Sequence, residues 1–185
     1  MSKTLSPALH SLSQNNLSDE TKDWFVVRTN SRCEKKVNQF LTDLGYTSFL
    51  PLHTVLRIWS DRKKKVQLPL IPSMVFVQNP LVKKEALYSV PGFHSILKDN
   101  GKIGRVSAKE IEHLRILSSE KINFDKAELP KFAKGEEIEI IRGPFAGHYA
   151  KAIEDLNSFR VLIEIPSLGL GYALNLAKNH VRKVK

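Results

Sequence analysis

Across residues 134–185 the chain offers only short alternating runs, EEIEII, YAKAIEDL, FRVLIEI, GYALNL and HVRKV, with turn signals crowded between them and no helical stretch of useful length. An apolar side chain at every second position is the pattern of a strand that buries one face. Runs this short can enclose a core only as a small sheet closed on itself, so the segment is expected to be a small β-barrel. The stretch IIRGPFAGHYA, Ile140 to Ala150, places Gly143, Pro144 and Gly147 between the first two runs. Gly and Pro punctuate local structure, and a turn between two strands is expected there.

The preceding residues mix both periodicities. WFVVRT, after Asp23, is rich in aromatic and β-branched types and reads as a strand. Ser31-Arg32-Cys33-Glu34 has the spacing of a capping box, in which a Ser and a Glu satisfy each other's backbone donors at a helix start. Val37, Phe40, Leu41 and Leu44 then recur on one helical face, and Gly45 stands where a left-handed stop is expected. From Thr47 to Gln78 the chain reads as strands, SFLPLHTVLRIW and VQLPLIPSMVFVQ, on either side of DRKKK. Such a run of cations cannot pack in a core and is expected at a hairpin tip.

Asn79-Pro80 opens a short helix to about Tyr88, stopped by Val90-Pro91-Gly92. Asp99-Asn100-Gly101 predicts a tight hairpin. Ser107 to Glu110 repeats the capping box ahead of Ile111, Leu114 and Leu117, on one face of a second long helix ending near Glu120. The order β-α-β-β-α-β-β-α predicts an α+β domain over residues 23–120, an antiparallel sheet with flanking helices. Residues 121–133 lack periodicity, carry Pro130 and read as a linker to the barrel of residues 134–185. Residues 1–22 read as a disordered polar tail.

Lys and Arg number 29 against 19 Asp and Glu, a formal charge of +10. Such an excess attracts phosphate backbones, anionic lipid or acidic protein surfaces without choosing among them. No apolar run approaches the roughly 20 residues that span a bilayer, and the N-terminus lacks the apolar region and cleavage pattern of a secretory signal. The single cysteine, Cys33, permits no internal disulfide, so a cytoplasmic monomer without a membrane partner is expected. The histidines at 10, 53, 94, 113, 148 and 180 share no metal-ligand spacing, and no phosphate-binding glycine loop is present. No catalytic residue, metal or cofactor is expected, and the chain reads as a binding protein, not an enzyme.

Lys134-Gly135 followed by IEIIRGPFAG is similar to the KOW motif of the NusG family of transcription elongation factors. WFVVRT, the helix, the basic hairpin, LIPSMVFV and the PGF segment stand in the order of that family's N-terminal domain. The resemblance covers residues 23–185 and implies an SH3-like KOW barrel behind that domain. PLIPSMVFV resembles the specialised antiterminator branch, that of RfaH and the UpxY regulators of surface-polysaccharide operons. Two positions depart from the family's pattern: Ala150 stands where the KOW motif usually has Gly, and Ser73-Met74 replaces a usual Gly-Tyr.

The resemblance implies a factor that binds RNA polymerase, bridges its cleft and suppresses pausing or termination. On it, Trp24, Ile71, Pro72, Met74 and Phe76 correspond to an apolar patch for the clamp helices of the largest subunit. Lys83 and Lys84, beside Glu85, correspond to the contact with the second large subunit across the cleft. A few large apolar residues would dominate such an interface, although Trp24 and Phe76 equally suit a core. Two cationic clusters, Arg28, Arg32, Lys35 and Lys36, then Arg57, Arg62, Lys63, Lys64 and Lys65, are candidates for the non-template DNA strand or are simply solvated faces. Phe145, Leu168, Leu170 and Tyr172 are candidates for a barrel partner, a ribosomal protein or termination factor, with the barrel core as the alternative for Phe145. A ribosome-associated or RNA-binding KOW protein is the rival reading, and it has no need of the N-terminal domain.

Overall fold

A computed structural model describes residues 23–58, 62–80, 84–119, 124–128, 135–154 and 159–184. In chain order the elements are β1 (Trp24–Thr29), α1 (Glu34–Asp43), β2 (Ser48–Phe49), β3 (Leu52–Ile58), β4 (Lys63–Pro69), β5 (Met74–Gln78), α2 (Lys84–Tyr88), β6 (Phe93–Ile96), β7 (Lys98–Asp99), β8 (Lys102–Ile103), β9 (Arg105–Val106) and α3 (Ala108–Leu117). There follow β10 (Phe124–Glu128), β11 (Glu137–Ile140), β12 (Tyr149–Glu154), β13 (Phe159–Ile165), β14 (Leu170–Asn175) and β15 (Val181–Lys183). The fold is α+β, in two compact units that interleave along the chain. The first takes the chain up to Leu50 with Pro72–Ala108, and the second takes Pro51–Ile71 with Lys109–Lys185.

The first unit is built on an antiparallel sheet of order β2-β5-β1-β6, with β9 pairing the start of β1. Val27, Val75 and Val77 share one face, where Val37 and Leu41 of α1 join Tyr46, Leu87 and Val90 in a buried core. Phe40 and Leu44 remain exposed, so α1 buries a narrower stripe than its four apolar positions predict. Ser31 does not cap this helix. Its N-cap is Cys33, without a side-chain bond, because Arg32 takes a left-handed φ of 63° and breaks the expected first turn. At the other end the expected stop forms: Gly45 has φ 83°, and the Tyr46 and Gly45 amides donate to the Leu41 and Thr42 carbonyls at 3.0 and 2.9 Å.

The second unit holds an antiparallel sheet of order β10-β14-β13-β12-β11-β15, where the small β-barrel was expected. Val161, Leu162, Ile163 and Ile165 of β13 are all buried, so this strand is covered on both faces. Phe124–Glu128 falls in the stretch expected to be a linker. It is a strand, paired with β14 from Phe124↔Leu174 to Glu128↔Leu170. Only Phe124 announces it, meeting the Tyr172 ring edge-on at 5.4 Å. An edge strand is recruited by an open backbone ladder as much as by apolar alternation. The Gly143–Gly147 turn forms as expected: both glycines have positive φ, 91° and 85°, and the Gly147 amide donates to the Ile140 carbonyl at 2.7 Å. Ala150 pairs with Ile138 in regular strand geometry, so this backbone does not require glycine there.

Strands β3 and β4 form a separate two-stranded ribbon, in register from Leu52↔Pro69 to Ile58↔Lys63. The three lysines 63–65 therefore lie along a strand and not at a hairpin tip. Among the described residues no helix is long and apolar enough to cross a membrane.

Gly92 has φ +92°, and a Cβ placed on it would stand 2.8 Å from Cys33 Cβ. Gly92→Ala therefore meets both a disfavoured backbone angle and a close neighbour on the segment leading into α1. It is expected to destabilise the first unit by roughly 2–4 kcal/mol, read as a lower midpoint in urea denaturation. An unchanged midpoint would mean that this approach is not tight.

Candidate functional site

The turn Pro72–Met74 is held from two sides. The Thr29 amide donates to the Ser73 carbonyl at 3.0 Å, and the Ser73 amide donates to the Glu34 carboxylate at 2.8 Å. These bonds hold Ser73 at φ 58°, a conformation costly for a residue with a Cβ. The turn leaves Pro72 exposed and Met74 half-buried, with Met74 directly across from Arg28 in the ladder.

Of the five apolar positions expected to form a docking patch, Trp24, Ile71 and Phe76 are 4%, 3% and 0% exposed. They are core residues here, and only Pro72 and Met74 present surface. The sheet needs Trp24 and Phe76 on the face opposite α1, where Phe49 lies edge-on to Trp24 at 6.5 Å and tilted against Phe76 at 6.1 Å. Phe49, half-buried on β2, completes this aromatic face and was missed from sequence. Its two-residue strand is too short to show a period, and its pairing with Phe76 was the missing information. Lys83 lies outside the described residues; Lys84 opens α2, and Glu85 is exposed.

All nine cations of the two clusters are exposed. Arg28 is on β1, Arg32 precedes α1, and Lys35 and Lys36 lie in its first turn. On the ribbon Arg57 stands opposite Lys64, while Lys63 and Lys65 point to the other face. Among the described residues no group of three His, Cys, Asp or Glu side chains could hold a metal ion. Exposed cations grouped in this way are suited to binding phosphate.

In the second unit Phe145 and Tyr172 are buried, leaving Leu168 and Leu170 half-buried as the accessible members of the expected partner surface. Phe145 thus takes the core position held open for it, and Tyr172, expected at the surface, is drawn into the same core. The Tyr172 hydroxyl has no hydrogen-bond partner among the described residues, and burial pushes its pKa up to about 12.

Residues 22–115 match the family described as NusG, transcription termination factor nusG. The chain belongs to the NusG family. The transcription termination/antitermination protein NusG of Helicobacter pylori (strain ATCC 700392 / 26695) is 24% identical over 177 residues, covering 88% of this chain and 98% of that protein. The protein of the same name from Rickettsia bellii (strain RML369-C) is 21% identical over 180 residues, covering 91% and 93%. Among solved structures, one of NusG from Thermotoga maritima, described as showing domain interaction, is similar with a TM-score of 0.47 at 22% identity, covering 88% of this chain and 97% of that one. Proteins of the NusG family are transcription factors, consistent with surfaces suited to binding.

The KOW barrel of this NusG-family chain carries a buried contact with α3 that sequence reasoning did not find. His113 Nε2 lies 3.1 Å from His148 Nδ1, and Phe145 stands edge-on to both rings, at 6.0 Å from each. One turn earlier on α3, Glu110 accepts the Ser167 amide at 2.8 Å and the Ser167 hydroxyl at 2.7 Å. Burial first, then the neighbouring His148, lowers the pKa of His113 from 6.5 to about 4. The folded chain thus keeps this imidazole neutral where the unfolded chain protonates it. The associated stability is complete above about pH 6.5 and lost as pH falls towards 4, with a slope of up to about 1.4 kcal/mol per pH unit. Denaturation midpoints between pH 7 and pH 4 should show this slope, and His113→Phe should flatten it. The same slope in both proteins would exclude His113 as its source.

Proposed function

We propose that this protein is an elongation and antitermination factor that binds RNA polymerase through its first unit. It bridges the cleft from the clamp helices of the largest subunit to the second large subunit, and it disfavours the open, paused state. Its effect is a shift between two states of the polymerase, limited by its difference in affinity for them. A specialised set of operons, such as surface-polysaccharide loci, is the proposed field of action.

The observation that carries this reading is NusG family membership across residues 22–115, joined to a turn that fixes Pro72 and Met74 at the end of the sheet. Methionine at such a position is apolar and adaptable, fitting a groove between helices. Arg28 beside it, with Arg32, Lys35 and Lys36, supports a path for the non-template DNA strand by phosphate neutralisation. Through Leu168 and Leu170 the KOW barrel recruits a second factor, a ribosomal protein or a termination factor.

Retention on immobilised core RNA polymerase tests the proposal. Met74→Asp should weaken retention by about tenfold or more, since a carboxylate replaces an apolar contact, while Met74→Leu should stay close to the unaltered chain. In elongation assays the unaltered protein should shorten pauses and Met74→Asp should not. Equal retention of Met74→Asp would remove Met74 from the interface. Nuclease-sensitive binding to ribosomes without polymerase retention would favour the ribosome-associated reading.

A further inference from the structure

Strand β10 holds its place on little. It stands at the end of its sheet and, among the described residues, pairs with β14 alone. Of its residues FDKAE only Phe124 belongs to the types that favour strands, while Asp, Lys, Ala and Glu are all depleted in them. Phe124 is its anchor, half-buried with its ring 6.0 Å from that of His53 and 5.4 Å from that of Tyr172. The register then sets Lys126 across from Tyr172 and Glu128 across from Leu170. Cross-strand pairs stabilise a sheet when they join aromatic and β-branched residues or opposite charges. Neither of these two pairs does so.

The edge that β10 covers has the opposite character. Leu170–Asn175, LGYALN, is a mostly apolar strand that pairs with β10 over five successive residues, from Leu170 to Leu174. Left bare, such an edge is a template for aggregation. A weak strand laid along it gives shelter and can still be displaced.

We propose that β10 is a placeholder, which keeps the β14 edge closed and yields it to an extended segment of a partner protein with apolar residues across from Leu170, Tyr172 and Leu174. Main-chain hydrogen bonds are alike for either strand, so side chains decide the exchange. The incoming segment matches the anchor at Phe124 and brings apolar residues where β10 has Lys126 and Glu128. The β10 of a second copy would bring the same two charges, so a swapped dimer gains nothing over the chain's own strand. The edge begins at Leu170, beside Leu168, and both are half-buried, so one partner can occupy edge and surface together. The assignment rests on the reading of the barrel as a recruiting surface, and it adds the conformation of what is recruited and the segment of this chain that must leave.

Fluorescence anisotropy of the full chain with a labelled synthetic peptide tests the inference. The peptide carries Phe, Val and Val at the three alternate positions with Thr between them, and a control peptide carries Lys and Glu in place of the two Val. The first should bind about tenfold more tightly than the control. Phe124→Ser removes the anchor of β10 and should tighten binding of the first peptide by about tenfold, whereas Lys126→Val/Glu128→Val improves β10 and should weaken it by a similar factor. The second variant should also raise the thermal midpoint, so its weaker binding cannot come from unfolding. The inference is overturned if both variants bind the peptide like the unaltered chain, if the control peptide binds equally, or if Phe124→Ser elutes as a dimer with unchanged peptide affinity, which would give the edge to a second copy. Both variants should keep their retention on core RNA polymerase. Failure of the unaltered chain to bind polymerase would count against the proposed function and leave the peptide result standing.

Discussion

Strand β1 has hydrogen-bonded neighbours along both edges, β5 on one side and β6 with β9 on the other. Backbone donors and acceptors buried in a core must find partners, and WFVVRT finds them only by gathering segments that are distant in sequence. Its side chains are buried on both faces: Val27 meets the α1 side, and Trp24 meets the aromatic side with Phe49. This double cover accounts for an unbroken apolar run where a half-exposed strand would alternate. The position of α1 and the course of the chain into β5 both follow from the same strand.

That constraint also shapes the candidate site. A sheet that draws Trp24 and Phe76 into its interior leaves contact to the ends of its strands, where Arg28 faces Met74. The turn that delivers Met74 is held by Glu34, which reaches from the start of α1 to a backbone amide 39 residues away. The surface is small but set on a rigid frame, and such a frame lowers the ordering cost of binding.

The second unit repeats the device. Glu110, near the start of α3, accepts from Ser167 just as Glu34 accepts from Ser73. Both glutamates sit in a Ser-x-x-Glu pattern whose local meaning is a capping box. In each case the carboxylate serves a distant backbone amide, a charge-assisted bond in a partly dry setting and stronger than a bond made at an exposed helix end. The two helices are thereby tied to the loops they cover. His113, one turn further on, adds a second tie that depends on remaining neutral.

Much of this protein was decided locally. Asn100 and Gly101 at positive φ, the Gly45 helix stop and the Gly143–Gly147 turn arise wherever those residues stand, because backbone sterics act within a few residues. The alternation of β11, with Ile138 and Ile140 buried and Glu137 exposed, is equally local, since period-two burial is written in the order of side chains, whereas β13 is buried on both faces because strands and chain cover it from both sides. Tertiary structure alone decided the rest. Phe124–Glu128 became a strand because β14 offered an open ladder, Trp24 and Phe76 went inside because the sheet had two faces to cover, and Glu34 and Glu110 found the distant amides of Ser73 and Ser167. A local pattern states what a residue can do, but only the assembled chain supplies the partner, whose burial and distance determine which of the available bonds is strongest.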